Sequence, residues 1–244
     1  MTILKAEHIT KEYDGVKILD DVTIELREGE IVSLLGVSGV GKTTLFHILS
    51  GLTVPDKGNV FLNGKDITGK PGEISYMQQK DLLLPHKKIL DNVALPCVIR
   101  GMKKKEAREQ ARPLLSKFGL ENCEDKYPCQ LSGGMRQRAA FLRTYMCQKG
   151  VALLDEPFSA LDALTKSDMH TWYLETMKQI NLWSIFITHD IHEALSLSDR
   201  IYVLSGKPGR IKKDIQIEEP HPRGGEFEFT ENYQRYKRTI LGAL

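Results

Sequence analysis

Gly36-Val37-Ser38-Gly39-Val40-Gly41-Lys42-Thr43 fits the phosphate-binding pattern G-x-x-x-x-G-K-[ST] at every fixed position. Its flanks fit as well. The apolar run Ile31-Val32-Ser33-Leu34-Leu35 before it reads as a buried strand. Thr43-Thr44-Leu45-Phe46-His47-Ile48-Leu49-Ser50 after it reads as a helix, closed by Gly51. Strand, glycine loop and helix together make an anion site. The glycines let the backbone curl so that its N–H groups point inward, and the helix N-terminus adds the positive end of its dipole. Residues 36–44 are therefore expected to hold a nucleotide's phosphates. Lys42 would reach the β- and γ-phosphates, and the Thr43 hydroxyl would ligate Mg²⁺.

Working outward, three more stretches carry chemistry. Val151-Ala152-Leu153-Leu154 is a continuous apolar run, expected to be a buried parallel strand, and it ends in Asp155-Glu156-Pro157. Carboxylates at the end of a buried strand are expensive unless they have work. Beside a phosphate loop, Asp155 would hold Mg²⁺ and Glu156 would polarise the attacking water. Ser184-Ile185-Phe186-Ile187-Thr188 is another core strand and delivers His189-Asp190. That puts His189 where parallel strands end and phosphate sites form. In Leu131-Ser132-Gly133-Gly134, Ser132 is a good N-cap for a helix whose apolar face is Met135, Ala139, Leu142, Tyr145 and Met146. This is a second glycine-marked helix start and a second possible anion site.

The remainder supplies the frame. Residues 2–30 read as antiparallel β, with Val22-Thr23-Ile24-Glu25-Leu26 alternating. Tyr13 lies at a strand end, where an aromatic ring either stacks on a base or covers the sheet edge. Asn59 to Gly64 reads as a strand entering an Asn-Gly turn. Ile74-Ser75-Tyr76-Met77 is a short strand leading to Gln78 and Gln79. Residues 87–120 look helical, and Pro113 suggests a break or a first-turn position there. A helix is expected over about 163–180, a last strand at Arg200-Ile201-Tyr202-Val203-Leu204, and an amphipathic helix from Thr230 carrying Tyr233, Tyr236, Ile240, Leu241 and Leu244. The chain is thus expected to be one α/β domain of 244 residues. It would have an antiparallel β subdomain, a helical insertion over 80–130 that extends to about 145 with the Ser132 helix, and a C-terminal tail over about 207–244.

Composition excludes more than it selects. The 41% hydrophobic content is ordinary for a globular core, and the formal net charge of +2 gives no argument for nucleic acid. No apolar run is long enough to span a membrane. Met1 to Glu7 lacks the apolar core of a signal peptide. Cys97, Cys123, Cys129 and Cys147 form no C-x-x-C pair, so metal spacing is absent and a disulfide framework is not expected.

The phosphate loop, the Gln79 loop, Leu131-Ser132-Gly133-Gly134, Asp155-Glu156, Ser159-Ala160-Leu161-Asp162 and His189 occur in that order. In this the chain resembles the ATP-binding subunit of an ABC transporter, over residues from about 2 to 206. The resemblance implies a P-loop NTPase core that hydrolyses ATP with Mg²⁺. It implies that Tyr13 stacks on adenine, that Gln79 senses Mg²⁺ and the γ-phosphate and couples to a membrane subunit, and that His189 contacts the γ-phosphate. Ser132, Gly133 and Gly134 would face the γ-phosphate of ATP held by a second copy, and Asp162 would cross that interface. Ser159 to Thr165, Leu131 to Arg138 and Lys207-Pro208-Gly209-Arg210-Ile211 are similar to the nitrate, sulfonate and taurine importer group, which also serves other small organic solutes. In Met77-Gln78-Gln79-Lys80 this chain departs from the group, which has an aromatic before the glutamine and an acid after it, so Gln78 and Gln79 both remain candidate sensors.

The expected partners follow from the resemblance: a second copy of the chain, transmembrane permease subunits and, indirectly, an extracytoplasmic solute-binding protein. The expected place is the cytoplasmic face of the membrane, held peripherally, and no nucleic acid is expected. The alternative is a non-transport ABC ATPase acting on nucleic acid or the ribosome. Such chains usually carry two cassettes or a long coiled-coil insertion, and this one has neither.

Overall fold

The computed structural model of the protein describes all residues except 160, 181 and 224. Two long strands, β1 (Thr2–Tyr13) and β2 (Val16–Arg27), pair antiparallel. β3 (Ile31–Leu35) follows and is buried along its whole length. α1 (Lys42–Leu49) leaves the glycine loop, and Gly51 turns the chain at φ 77° where a side chain would meet the Lys70 backbone. β4 (Lys57–Leu62) and the two-residue β5 (Lys65–Asp66) are joined by Asn63 and Gly64, both at positive φ, the hairpin turn that this pair favours. β6 (Ser75–Met77) precedes three helices: α2 (Ile89–Ile99), α3 (Lys104–Lys117) and α4 (Gly133–Tyr145). The last part runs β7 (Val151–Asp155), α5 (Ala163–Ile180), β8 (Trp183–Thr188), α6 (Ile191–Leu197), β9 (Arg200–Ser205), β10 (Arg210–Gln216) and α7 (Glu231–Leu241).

The strands form two sheets. One is antiparallel, in the order β2-β1-β4-β5; the other runs β10-β9-β3-β8-β7-β6 and is parallel except for β10. The inner strands are covered on both faces, which is why they read as unbroken apolar runs. Val151, Leu153, Ile185 and Ile187 point toward α1 and the apolar face of the antiparallel sheet, where Leu4, Ala6, Ile9, Val22, Ile24 and Leu26 are buried. Ala152, Leu154 and Phe186 point the other way, into a core shared with α2 to α5. Each Val, Leu, Ile or Phe side chain among them contributes about 1.5–3 kcal/mol when removed from water, so the strand ends that carry the site are firmly held.

Three expectations are corrected. Pro113 neither breaks nor opens a helix; it sits inside α3. Pro113 lies on the exposed face of α3 together with Glu109, whose carbonyl loses its intrahelical partner. The break in this region falls instead at Gly101, at φ 95° between α2 and α3. Nor is β9 the last strand. β10 adds to it antiparallel at the sheet edge, and its sequence Arg-Ile-Lys-Lys-Asp-Ile-Gln is too polar to read as a core strand. α7 buries Tyr233, Tyr236 and Ile240 as expected, but Leu241 is 55% and Leu244 38% exposed.

Candidate functional site

The glycine loop is pinned from behind. A Cβ on Gly36 would lie 2.4 Å from the Leu204 carbonyl oxygen, and one on Gly41 would lie 2.8 Å from Leu19 and 3.2 Å from Ile18. Gly39 and Gly41 hold φ of 80° and 108°, the left-handed region that glycine enters at no steric cost. Val40 is the anchor, buried in the core, while Val37, Ser38 and Gly39 face solvent. Lys42 is 6% exposed and its ammonium donates to the Gly36 and Val37 carbonyls at 2.7 and 3.0 Å. Burial pulls its pKa down, and the charges of Glu156 and Asp155 oppose that pull.

Asp155 ends β7 almost fully buried. Its Oδ2 accepts from Thr43 Oγ1 at 3.4 Å and from the Tyr76 hydroxyl at 3.3 Å. Burial pushes its carboxyl pKa up; the Tyr76 and Thr43 hydrogen bonds work the other way. The chain then turns at Glu156, whose φ of 45° is unusual for a residue with a side chain. Such conformations cost on the order of 1–3 kcal/mol and cluster at functional sites. The turn aims the Glu156 carboxylate at two side chains from other elements. Gln79 Nε2 donates to Oε2 at 3.0 Å, and His189 Nδ1 lies 3.4 Å from Oε1. Residues far apart in the chain thus meet beside Lys42, Thr43 and Asp155.

The geometry separates the two glutamines. Gln79 reaches Glu156, whereas Gln78 lines a groove with Leu84, Pro96 and Arg143. Ser132 caps α4 by accepting from the Met135 N–H at 3.3 Å, and it is exposed. The atoms nearest to Gly133 and Gly134 belong to Leu161 and Thr165, not to the glycine loop. Asp162 accepts from the Thr165 N–H and hydroxyl at the start of α5. Ala160, between Ser159 and Leu161, lies outside the described residues. Tyr13 is 45% exposed and pairs with Val16 at the end of the β1–β2 hairpin, on the side where Ile18 and Leu19 touch Gly41.

Two contributors were not read from the sequence as parts of the site. Tyr76 donates to Asp155 and packs its ring edge-on against Phe46 and His47. Ser75 and Met77 are buried on the other face of β6, and pairing with β7 turns Tyr76 toward Asp155. Gly209 bonds to Ile18 and Asp20 through its backbone, and a Cβ there would lie 2.3 Å from the Val40 carbonyl oxygen. The Lys207–Ile211 stretch therefore props the glycine loop.

A glycine loop between a buried parallel strand and a helix, with a neighbouring strand ending in paired carboxylates, defines the P-loop class of nucleoside-triphosphate hydrolases. Comparison with known proteins narrows the class. The ABC transporter family model matches residues 19–159, and the chain belongs to that family. The formylaminopyrimidine import ATP-binding protein ThiZ of Halalkalibacterium halodurans is 38% identical over 239 residues, covering 98% of this chain and 93% of that protein. The taurine import ATP-binding protein TauB of Escherichia coli (strain K12) is 38% identical over 215 residues, 88% of this chain and 84% of that one. Among solved structures, a dimeric post-hydrolysis state of an ATP-binding cassette bound to ADP and Pi superposes with a TM-score of 0.76 at 28% identity, covering 89% of this chain and all of that one. This chain is an ATP-binding and ATP-hydrolysing subunit.

Proposed function

We propose that two copies of this chain close around two ATP molecules and drive an importer for a small solute. The observation that carries the reading is a pair of half-sites that do not meet within one chain. The glycine loop, Asp155, Glu156, Gln79 and His189 form one. The α4 N-terminus, with Ser132, Gly133 and Gly134, forms the other and lies against Leu161 and Thr165. A second copy turned head to tail would bring its α4 N-terminus to the γ-phosphate, where backbone N–H groups and the helix dipole favour negative charge. Tyr13 would stack on the adenine, and Asp162 would sit at the seam.

Mg²⁺ fits the donors present. Thr43 and Asp155 offer hard oxygen ligands side by side, and Mg²⁺ usually takes one or two protein oxygens together with phosphates and waters. Bound Mg²⁺ would neutralise charge developing on the phosphates. Glu156 would orient and deprotonate the attacking water, His189 would contact the γ-phosphate, and Gln79 would report occupancy by its bond to Glu156.

The same Gln79 loop borders a groove of about 500 Å³, lined by Leu82, Leu84, Leu95, Pro96 and Ile99 and rimmed by Arg100 and Arg143. An apolar groove with a basic rim suits an amphipathic helix of a permease subunit. By its likeness to import ATP-binding proteins the chain would act peripherally, at the cytoplasmic face; no described helix is long and apolar enough to cross a membrane. The solute would come through a binding protein that this chain does not touch. Helical subdomain boundaries of about 80–145, with the tail from about 207, are kept in this reading. The experiment is cysteine crosslinking from Leu84→Cys to the permease in membranes where both are expressed, with and without ATP. A nucleotide-sensitive crosslink is expected; its absence in every nucleotide state would remove the docking role.

A further inference from the structure

Glu193 sits in the first turn of α6 with 3% of its surface exposed, and it is held from two sides. Its Oε2 accepts from the Thr188 hydroxyl at 2.6 Å, and its Oε1 lies 2.7 Å from the Lys166 ammonium of α5. Lys166 also lies 3.5 Å from Asp190, which caps α6 by accepting from the His192 and Glu193 N–H groups. The Thr188 hydroxyl in turn accepts from the Asp190 N–H at 3.0 Å. Thr188 and Asp190 are the two chain neighbours of His189. The segment that carries His189 is therefore tied on both sides to Glu193 and Lys166.

An ionised carboxylate only accepts hydrogen bonds. While Glu193 is ionised, the Thr188 hydroxyl must donate to it, which leaves the hydroxyl oxygen to receive the Asp190 N–H. A carboxylate this deeply buried is expensive unless a cation pairs with it. His170 is one base at hand, its Nε2 3.9 Å from Glu193 Oε1, but burial pushes its pKa down to about 4 and leaves it neutral at pH 7. Lys166 is the cation. Burial alone would lower its pKa; Glu193 and Asp190 more than reverse this, and the net shift is upward. His189 needs such a frame, because its side chain is more than half exposed and its Nδ1 lies 3.4 Å from Glu156 Oε1. Apolar side chains of similar size could join α5 to α6 as firmly, but they could not orient the Thr188 hydroxyl.

We propose that Lys166, acting through Glu193 and Asp190, is a positioning residue that aims His189 at the γ-phosphate. The proposal rests on the γ-phosphate role of His189 in the proposed function, and it adds a residue from another helix on which that role depends. The Lys166 N–H donates to the Asp162 carbonyl at 2.8 Å, so the ammonium is carried by the first turn of α5. A misplacement of about 1 Å at a reacting group can cost on the order of 10²-fold in rate.

The test uses the full chain and measures its affinity for ADP and for the β,γ-imido analogue of ATP, with ATPase turnover in parallel. Only the analogue carries a γ-phosphate, so the ratio of the two affinities reads the His189 contact. Lys166→Met and Glu193→Gln should each lower the preference for the analogue by about tenfold, and kcat by about ten- to a hundredfold, with ADP affinity unchanged. His189→Ala is the reference and should lower both at least as much. Lys166→Arg keeps the ion pair and should restore both. The double variant Lys166→Met/Glu193→Gln leaves no unpaired buried charge, so it should stay folded even if a single variant does not, and it should still show the lowered preference and kcat. Wild-type preference and kcat in the folded double variant, with His189→Ala impaired, would overturn the positioning role and leave His189 in place. Equal losses of affinity for ADP and the analogue would also overturn it and make the ion pair a structural brace. Wild-type preference and kcat in His189→Ala would overturn the γ-phosphate role of His189 and this proposal with it.

Discussion

Asp155 carries opposed demands. In the proposed role its carboxylate must be ionised to hold Mg²⁺, yet burial favours its protonated form and raises its pKa above the usual 3.8. A carboxyl whose folded-state pKa is raised favours the fold while protonated. That contribution is complete below the unfolded-state pKa and is lost as pH rises through the folded-state value. At neutral pH the ionised Asp155 therefore weighs against stability. Asp155→Asn is expected to raise the melting temperature at neutral pH and to lose that advantage at acid pH, below the unfolded-state pKa, while Mg²⁺-dependent ATP turnover collapses. Thermal unfolding at the two pH values with a parallel ATPase assay checks it; a variant less stable than wild type at neutral pH would contradict the burial argument. Asp155, Glu156 and His189 were legible because charged groups at the ends of apolar strands have few other reasons to be there. Tyr76 was missed, and Gln79 was not separable from Gln78, because those assignments depend on which way a side chain leaves a three-residue strand. Pattern over three residues does not fix that phase; pairing with β7 does.

At the scale of elements, strands and caps were readable and edges were not. β3, β7 and β8 announced themselves as apolar runs because parallel strands are covered on both faces. β10 stayed hidden because an edge strand can be mostly polar and still complete its ladder. The α4 cap was visible in Ser132, and its removal separates two roles. Ser132→Ala loses one capping bond, worth about 1 kcal/mol, so the subunit should remain folded and should bind ATP as before. If the α4 N-terminus completes the site of a second copy, steady-state ATPase should fall far more than that small loss of stability explains. Equal ATPase in Ser132→Ala and wild type would leave Ser132 a cap only. The tail helix gives a contrasting case. Tyr236 is 7% exposed, and its hydroxyl accepts from the Glu218 N–H at 3.4 Å. Tyr236→Ala should destabilise by about 3 kcal/mol, the usual size for deleting a buried aromatic, as read by denaturant unfolding, while the affinity for ATP stays unchanged.

For the whole molecule the proposal turns on the α4 N-terminus, whose glycines lie against Leu161 and Thr165 and not against the glycine loop. Glu156 lets this be tested with little other disturbance. Glu156→Gln keeps the size of the side chain and an acceptor for Gln79, but it removes the carboxylate proposed to take the water's proton. General-base groups typically contribute roughly 10²–10⁴-fold, so turnover should fall by about that much. Lys42, Thr43 and Asp155 remain, so ATP should still bind. ATP that is bound and not cleaved holds open the chance for a second α4 N-terminus to close on its γ-phosphate. ADP lacks that phosphate and gives the second chain nothing to hold, so closure is a population shift set by the differential affinity for ATP. The variant should therefore run as a monomer or loose pair without nucleotide, as a stable dimer with Mg²⁺-ATP, and again as a monomer with ADP. Size-exclusion chromatography with light scattering reads the mass directly, and a run at high protein concentration allows for weak association. A variant that binds Mg²⁺-ATP and stays monomeric even when concentrated would sink the two-chain site, and the separation of Ser132 from the glycine loop would then need another cause.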